Sequence, residues 1–297
     1  MSEGGLAVAA ATAASPSGRP GLQGLSAAEV LAQAAHENFP VALRVLPPTE
    51  RRRLQAIYGY ARLVDDAGDV YEGDRSALLD WIEADLDRAY TGRAEHPLLQ
   101  RVSTVVRDLG LPREPFLRLL DANRQDQVVS RYATWDDLAA YCDLSANPVG
   151  ELVLYIFGVA TPERVRWSDA VCTGLQLAEH WQDVGEDYLR GRVYLPQEDL
   201  VRFGVAETEL APGSPSGVFQ ELMAFEVERA RGLLSEGLLL VGSLTGLHRL
   251  AVAGYVGGGR AALDAVERSG FDVLRRSPRA RGRQRMVATT QVLREAR

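Results

Sequence analysis

The sequence predicts an all-α protein with a single domain, and three observations support this fold class. Apolar residues recur at helical spacing from Ser26 almost to the end of the chain. Glycines and prolines interrupt the pattern where helices should end, and no run alternates as strands between hairpin turns do. Neither a shift in composition nor an internal repeat divides the chain. We therefore predict one helical domain over residues 25–278.

The elements follow in order from these apolar stripes. The first clear stripe combines Leu54, Ile57, Tyr58 and Ala61, spaced i, i+3, i+4 and i+7 as on one helix face. Similar stripes predict helices around residues 78–86, 117–122, 152–157, 171–178, 222–233, 247–256 and 261–273. Breaks between helices are predicted at 47–48, 92, 110–112, 148, 162, 196 and 211–217, where glycine or proline interrupts the pattern.

Two local features leave alternatives open. Asn147-Pro148 predicts either a kink inside a helix or a plain helix boundary, because proline removes a backbone hydrogen bond. The three glycines at 257–259 predict either close approach of two helices or a break before Arg260, and close approach is slightly favoured.

Composition excludes several classes of protein. The 297 residues carry 33 basic and 40 acidic side chains, a net charge of -7, which argues against a nucleic-acid partner. All 33 basic residues are arginine, so lysine Schiff bases, pyridoxal phosphate attachment and the P-loop lysine are excluded. If the protein binds phosphate, arginine must do so. Two cysteines, Cys142 and Cys172, cannot form a disulfide framework, and we expect a cytoplasmic protein.

The two ends differ from the middle of the chain. Residues 1–24 lack the basic and apolar regions of a signal peptide, and their Ala, Gly, Ser and Pro content predicts a flexible N-terminal tail. Residues 279–297 form a basic C-terminal segment, and from Arg275 onward eight arginines face one acid, Glu295. The segment is interpreted either as a peripheral contact with anionic lipid at the inner membrane face or, preferably, as the solvated end of a last helix.

Two acidic clusters carry the candidate chemistry. Asp65 and Asp69 are spaced i, i+4 and share a helix face with Tyr58 and Arg62. The second cluster places four polar side chains on one face at spacings of 3, 4 and 4, namely Gln176, Glu179, Asp183 and Asp187.

Like charges at i, i+4 destabilise a helix by about 0.2–0.5 kcal/mol per pair, so two such faces predict a compensating cation. Carboxylate oxygens favour Mg²⁺, which often bridges protein to phosphate oxygens. The pattern therefore predicts a diphosphate site. The alternatives are solvated helix faces and a di-iron bundle, and the second requires Glu-x-x-His on two helices, which the chain lacks.

With these motifs the chain resembles the squalene and phytoene synthase family. DDAGD at 65–69 is similar to the first aspartate motif of the family, DVGED at 183–187 to the second, and GRVYLP at 191–196 to the segment that follows. The resemblance spans about residues 37–278. Other segments resemble the hydroxysqualene synthase subgroup (HpnC type): ENFPVA at 37–42, SANPVG at 145–150, WQD at 181–183 and GGRAAL at 258–263.

The resemblance implies an isoprenoid-synthase-type helical bundle around a central apolar cavity. It also implies Mg²⁺-dependent conversion of presqualene diphosphate to hydroxysqualene, functionally coupled to a presqualene diphosphate synthase and a hydroxysqualene reductase. The alternatives are head-to-head condensation of two prenyl diphosphates, such as farnesyl diphosphate, and, from another class, a non-catalytic prenyl-lipid-binding or assembly protein.

The resemblance further assigns roles to individual residues. The catalytic and metal-binding residues would be Asp65, Asp69, Asp183 and Asp187, with Glu179 as a further metal ligand. Glu179 stands where the family usually has asparagine. Substrate would be bound by Tyr58, Arg62, Tyr141, Asn147, Gln176, Arg192 and Tyr194. The hydrocarbon tunnel would be lined by Phe39, Val41, Tyr58, Val64, Tyr141, Ala146, Val149 and Leu152.

Overall fold

The computed structural model describes residues 26–32 and 45–296. Within these ranges the secondary structure is helical apart from one isolated β-bridge, between Arg131 and Val193, so the predicted all-α fold is confirmed. Three parts of the sequence predictions lie outside the described residues: the tail at 1–24, the motif at 37–42, and the tunnel residues Phe39 and Val41.

The helices follow one another with short connections. Their bounds are α1 Ala27–Ala32, α2 Pro48–Asp69, α3 Arg75–Tyr90, α4 Pro97–Leu109, α5 Glu114–Gln125, α6 Trp135–Ser145, α7 Asn147–Ile156, α8 Pro162–Leu189, α9 Gln197–Phe203, α10 Gly217–Ser243, α11 Gly246–Arg268 and α12 Gly282–Glu295. A short 3₁₀ turn, Glu207–Leu210, separates α9 from α10.

Local chemistry sets the ends of the helices that form the site. Proline occupies the first position of α2 and of α8, where no backbone N–H is needed for an intrahelical bond. The hydroxyl of Thr161 caps α8 by accepting a hydrogen bond from the backbone N–H of Arg164 at 3.3 Å. Only Ala146, with φ -114° and ψ -46°, lies between the end of α6 and the start of α7. Asn147-Pro148 begins α7 and so lies at a helix boundary.

Packing divides the bundle into two groups of helices with the site between them. The first group is built on α2, which contacts α4, α5 and α7. The second is built on the long helix α8, which contacts α7, α10 and α11. The carboxylate stripes lie on α2 and α8, so the two groups carry one stripe each.

The last helix packs against the bundle. α12 lies on α11, where a Cβ atom added at Gly257 would come within 2.6 Å of the backbone nitrogen of Thr289. The favoured interpretation of the glycine run, close approach of two helices, is confirmed at this position. Val292 is buried in the contact, while Met286 and Val287 face outward and are exposed. The sequence analysis preferred to interpret the basic C-terminal segment as the solvated end of a last helix. Only the outer face of α12 agrees with that interpretation. No helix in the described ranges combines the length and apolarity that crossing a membrane requires.

Candidate active site

The first acidic cluster lies in the last two turns of α2. Arg62 forms an ion pair with Asp66, with Nη2 to Oδ1 at 2.9 Å. Asp65 accepts a hydrogen bond at Oδ1 from the amide Nδ2 of Asn123 at 3.1 Å. Burial nevertheless raises the pKa of Asp65 to about 6, because desolvation of the carboxylate outweighs the hydrogen bond and the charge of Arg62. The site therefore has unmet capacity for positive charge beside Asp65.

A cavity of about 280 Å³ opens beside this cluster. Arg62 and Asp65 from α2 and Glu179 from α8 supply its charged lining, and Gln176 from α8 is one of its polar residues. The rest of the wall is mainly apolar, drawn from α2, α5, α7, α8, α10 and α11, and includes Leu54, Ile57, Leu119, Val149, Val153, Leu154, Val171, Leu175, Leu240 and Val252. Polar and apolar chemistry thus meet in one space between the two helix groups.

The second acidic cluster continues along α8. Burial, reinforced by the negative charge of Asp183 one turn earlier, raises the pKa of Asp187 to about 7. Asp183 accepts hydrogen bonds at both carboxylate oxygens from Nη2 of Arg279, each 3.1 Å long. Arg190 is more distant from Asp187, at 3.8 Å. The nearby arginines, Arg279 and Arg190, therefore do not fully compensate the negative charge of this stripe.

Arg192 connects the two clusters. Its Nη2 donates to Oδ1 of Asp69 at 2.7 Å, and its charge offsets part of the rise in the pKa of Asp187. The turn that presents it is fixed: Val193 N donates to the carbonyl of Ser130 at 2.9 Å, and Nη1 of Arg131 donates to the carbonyl of Gly191 at 2.5 Å. The structure therefore brings the end of α2 and the end of α8 to one mouth, with an arginine between them.

Aromatic side chains flank Arg192. The hydroxyl of Tyr194 lies 3.4 Å from Nη1 of Arg192, and its ring stacks on His180 with centroids 3.6 Å apart. Burial lowers the pKa of His180 to about 3, so the imidazole is neutral and packs as an aromatic ring. Its Nε2 lies 3.2 Å from Nε2 of Gln176. Tyr141 packs against Tyr194 at 5.9 Å.

Two residues at the mouth were not predicted from the sequence. Asp126, just after α5, accepts a hydrogen bond at Oδ2 from the hydroxyl of Tyr141 at 2.8 Å, and its buried Oδ1 has no hydrogen-bond partner. Burial raises the pKa of Asp126 to about 6 despite the charge of Arg192. Asn123, one turn earlier, is the partner of Asp65. The sequence signal that could have found them is their spacing: Asn123 and Asp126 lie three residues apart at the end of a predicted helix.

Some predicted binding residues lie away from the cavity wall. The amide of Asn147 is engaged within the protein, because Nδ2 donates to Asp143 and Oδ1 accepts from Thr173 at 3.0 Å. Three predicted tunnel residues do not line the cavity: Val64 and Leu152 are fully buried in the core, and Tyr141 is buried beside Tyr194. Tyr58, Ala146 and Val149 do line the cavity. The assigned roles remain predictions.

The donor set at the mouth fits a hard divalent cation such as Mg²⁺. Within the described residues no three His, Cys, Asp or Glu side chains lie close enough to hold an ion alone. Mg²⁺ usually takes only one or two carboxylates and completes its shell with water and substrate phosphate. Burial is the main cause of the raised pKa values of Asp65 and Asp187, and the nearby arginines only partly offset it. Both observations are compatible with an ion that binds together with a diphosphate.

An all-α bundle with an apolar cavity and an acidic, arginine-bearing mouth is the architecture of an isoprenoid synthase. The family model of squalene/phytoene synthases matches residues 32–285, and the protein belongs to that family.

Individual relatives extend this result. The chain is 35% identical to the hydroxysqualene synthase of Rhodopseudomonas palustris over 71% of its own length and 73% of the relative. It is 30% identical to the 15-cis-phytoene synthase of Synechococcus elongatus over 81% of its length and 82% of the relative. The crystal structure of squalene synthase HpnC from Alicyclobacillus acidocaldarius superposes with a TM-score of 0.76 at 40% identity, covering 82% of this chain and 92% of that one. The isoprenoid-synthase-type fold is thereby confirmed.

Proposed function

We propose that the protein converts presqualene diphosphate to hydroxysqualene. The observation that carries the proposal is the cavity in which Arg62, Asp65 and Glu179 meet a largely apolar wall. Such a space matches a substrate with one diphosphate group and a long hydrocarbon. The choice of reaction is supported by identity to a hydroxysqualene synthase at 35% and to the HpnC structure at 40%.

In the proposed reaction the carbon–oxygen bond to the diphosphate breaks, and the electron pair leaves with the diphosphate. The carbon cation rearranges and takes up water, which then loses a proton to give the alcohol. Arg62 and Arg192 would donate hydrogen bonds to the departing oxygens, where charge-assisted bonds are strongest. The apolar wall would hold the chain and limit access of water to the cation.

Mg²⁺ would be held by Asp65, Asp69, Glu179, Asp183 and Asp187. When bound, it would supply positive charge to the leaving diphosphate. Tyr58 and Gln176 line the same cavity and would bound the substrate near its charged end, while Tyr141 and Tyr194 would support Arg192 and Asp126. Asn147 would act only indirectly, through the α6–α7 junction.

A second candidate is head-to-head condensation of two prenyl diphosphates. It is favoured by the 30% identity to phytoene synthase, which extends over a larger share of both chains than the match to hydroxysqualene synthase does. In the first candidate a separate synthase would supply presqualene diphosphate and a reductase would consume hydroxysqualene. The second candidate needs neither.

The test is product analysis of the full chain with Mg²⁺. We expect presqualene diphosphate to give hydroxysqualene in the extracted lipid by mass spectrometry, and farnesyl diphosphate alone to give no product. Asp65→Ala and Asp183→Ala should each abolish turnover with an unchanged helical circular dichroism signal, and removal of Mg²⁺ by a chelator should do the same reversibly. Phytoene formed from a prenyl diphosphate alone, or squalene formed from one with an added hydride donor such as NADPH, would favour condensation. A folded protein that releases no diphosphate would favour a binding role.

A further inference from the structure

The chain between α11 and α12 runs along the outer side of the second acidic cluster and is fixed there at several points. The backbone N–H of Gly185 donates to the carbonyl of Val273 at 3.3 Å, and a Cβ at Gly185 would be 2.3 Å from the carbonyl oxygen of Leu274. The hydroxyl of Ser277 donates to Glu186 at 2.7 Å. The amide of Gln182 donates to the carbonyl of Pro278. This connection therefore has a defined position relative to α8.

Arg279 is the residue that this connection presents to the acidic stripe. Its Nη2 lies 3.1 Å from both oxygens of Asp183, and its Nη1 lies 3.5 Å from Oε1 of Gln182. The side chain of Arg279 is 49% exposed, whereas that of Asp183 is 23% exposed. The guanidinium can therefore leave Asp183 without disturbing the core, although the backbone contacts keep it close to the mouth.

The pairing occupies the atoms that the proposed reaction requires. A carboxylate that accepts a hydrogen bond at each oxygen cannot offer the same lone pairs to a divalent cation, and an adjacent guanidinium would be repelled by that cation. When a cation binds Asp183, the positive charge of Arg279 must find another partner. At this mouth Asp69 and Asp66 already have arginines, Arg192 and Arg62, while Asp65 and Asp187 remain candidates for the cation.

We propose that Arg279 is a diphosphate-binding residue that rests on Asp183 in the free protein and transfers to a diphosphate oxygen when a divalent cation binds. Its forked guanidinium suits a phosphate oxygen pair as well as it suits a carboxylate. The proposal rests on the proposed function only in requiring a diphosphate substrate, and it holds for either candidate reaction. It also gives the C-terminal connection, which the sequence placed at the edge of the domain, a part in the site.

The test uses Mn²⁺ and inorganic pyrophosphate as probes, with the full chain and three variants. Arg279→Gln removes the charge, and Arg279→Lys keeps the charge without the fork. Arg283→Gln is the matched control, because Arg283 is an exposed arginine in the first turn of α12. In the absence of diphosphate, Arg279→Gln should bind Mn²⁺ several-fold more tightly, measured by electron paramagnetic resonance, because Asp183 is no longer occupied.

With Mg²⁺ present, calorimetric titration should show pyrophosphate binding about tenfold weaker in Arg279→Gln and intermediate in Arg279→Lys. Arg283→Gln should match the wild type in both titrations. Unchanged pyrophosphate affinity in a variant with native circular dichroism overturns the proposal, as does a wild type that binds no pyrophosphate. Mn²⁺ affinity that fails to rise in Arg279→Gln also overturns the transfer from Asp183. Neither titration depends on which lipid product forms, so a wrong product assignment would be detected separately.

Discussion

Asp126 shows how charge is shared at the mouth. Arg192 donates a hydrogen bond to Asp69 and also interacts electrostatically with Asp126, whose own hydrogen bond comes from Tyr141. Two carboxylates therefore attract one guanidinium, and the geometry gives the closer contact to Asp69. The division matters because Asp69 is a predicted metal ligand, and a carboxylate bound tightly by arginine is less available to a cation.

Asp126→Asn should weaken the apparent affinity for Mg²⁺ by several-fold. The amide keeps an oxygen that can accept the hydrogen bond from Tyr141, but the negative charge that draws Arg192 away from Asp69 is lost. The measurement is the Mg²⁺ concentration for half-maximal turnover. Tyr141→Phe is the matched variant, because it removes the hydrogen bond and leaves the charge. Equal Mg²⁺ requirements in Asp126→Asn and the wild type would show that Asp126 has no influence on the metal ligands.

Individual residues also show the limit of sequence reasoning. The i, i+4 spacing was sufficient to place Asp65 and Asp69 on one face of α2, because helix geometry fixes such neighbours. It could not show that Asp69 pairs with Arg192, 123 positions later, since that contact depends on how the 191–193 turn is held against Ser130. Arg279 was missed for the same reason.

A buried ion network joins α9 to α10. Nη1 of Arg229 donates to Asp199 at 2.8 Å and to both oxygens of Glu226, at 2.9 and 3.0 Å, and its guanidinium lies 4.5 Å from the ring centroid of Trp135. Glu226 has no exposed surface. Burial raises its pKa to about 8, because one guanidinium shared by two carboxylates does not compensate for desolvation.

This network should make stability depend on pH. The folded protein holds a proton on Glu226 up to about pH 8, whereas an unfolded glutamate releases it near pH 4.3. Between these values the folded state binds more protons, so the free energy of unfolding should fall as pH rises, by about 2 kcal/mol from pH 6 to pH 8. Glu226→Gln should reduce the measured fall in urea unfolding by about this amount, leaving the contribution of Asp187, and Glu228→Gln, an exposed control, should keep the full fall. Parallel slopes in the wild type and Glu226→Gln would contradict the assignment.

The positions of helices were predicted better than the residues at which they begin and end. The stripe at 171–178 lies in the middle of α8, which extends over Pro162–Leu189 and carries the second acidic cluster on the same helix. Apolar periodicity detects the buried face of a helix, whereas its polar ends are set by caps such as Thr161. The sequence prediction missed three helices, α4, α6 and α9, and the seven residues of α9 are too few to establish a period.

At the scale of the molecule, the site depends on helices that do not line it. α12 lies on α11, and the connection before it presents Arg279 to α8. Arg249 on α11 donates to the carbonyls of Leu293 and Ala296 at 3.2 and 2.7 Å, which ties the chain end to the bundle. We therefore expect the position of Arg279 to depend on the docking of α12, although α12 is far along the chain from the predicted metal-binding residues.

Gly257→Ala should test this coupling. The added methyl group would lie 2.6 Å from the backbone nitrogen of Thr289, a contact that cannot be relieved by a side-chain rotation, so α12 must shift away from α11. We expect a loss of about 1–3 kcal/mol in unfolding free energy together with weaker pyrophosphate binding, because the connection that holds Arg279 is no longer fixed at its α12 end.

Gly232→Ala is the matched control: the glycine lies within α10 with open space around its Cβ position, so alanine should be neutral or stabilising. The measurements are chemical unfolding and calorimetric titration with Mg²⁺ and pyrophosphate. Loss of stability with full pyrophosphate affinity in Gly257→Ala would show that the connection holds its position on α8 without α12.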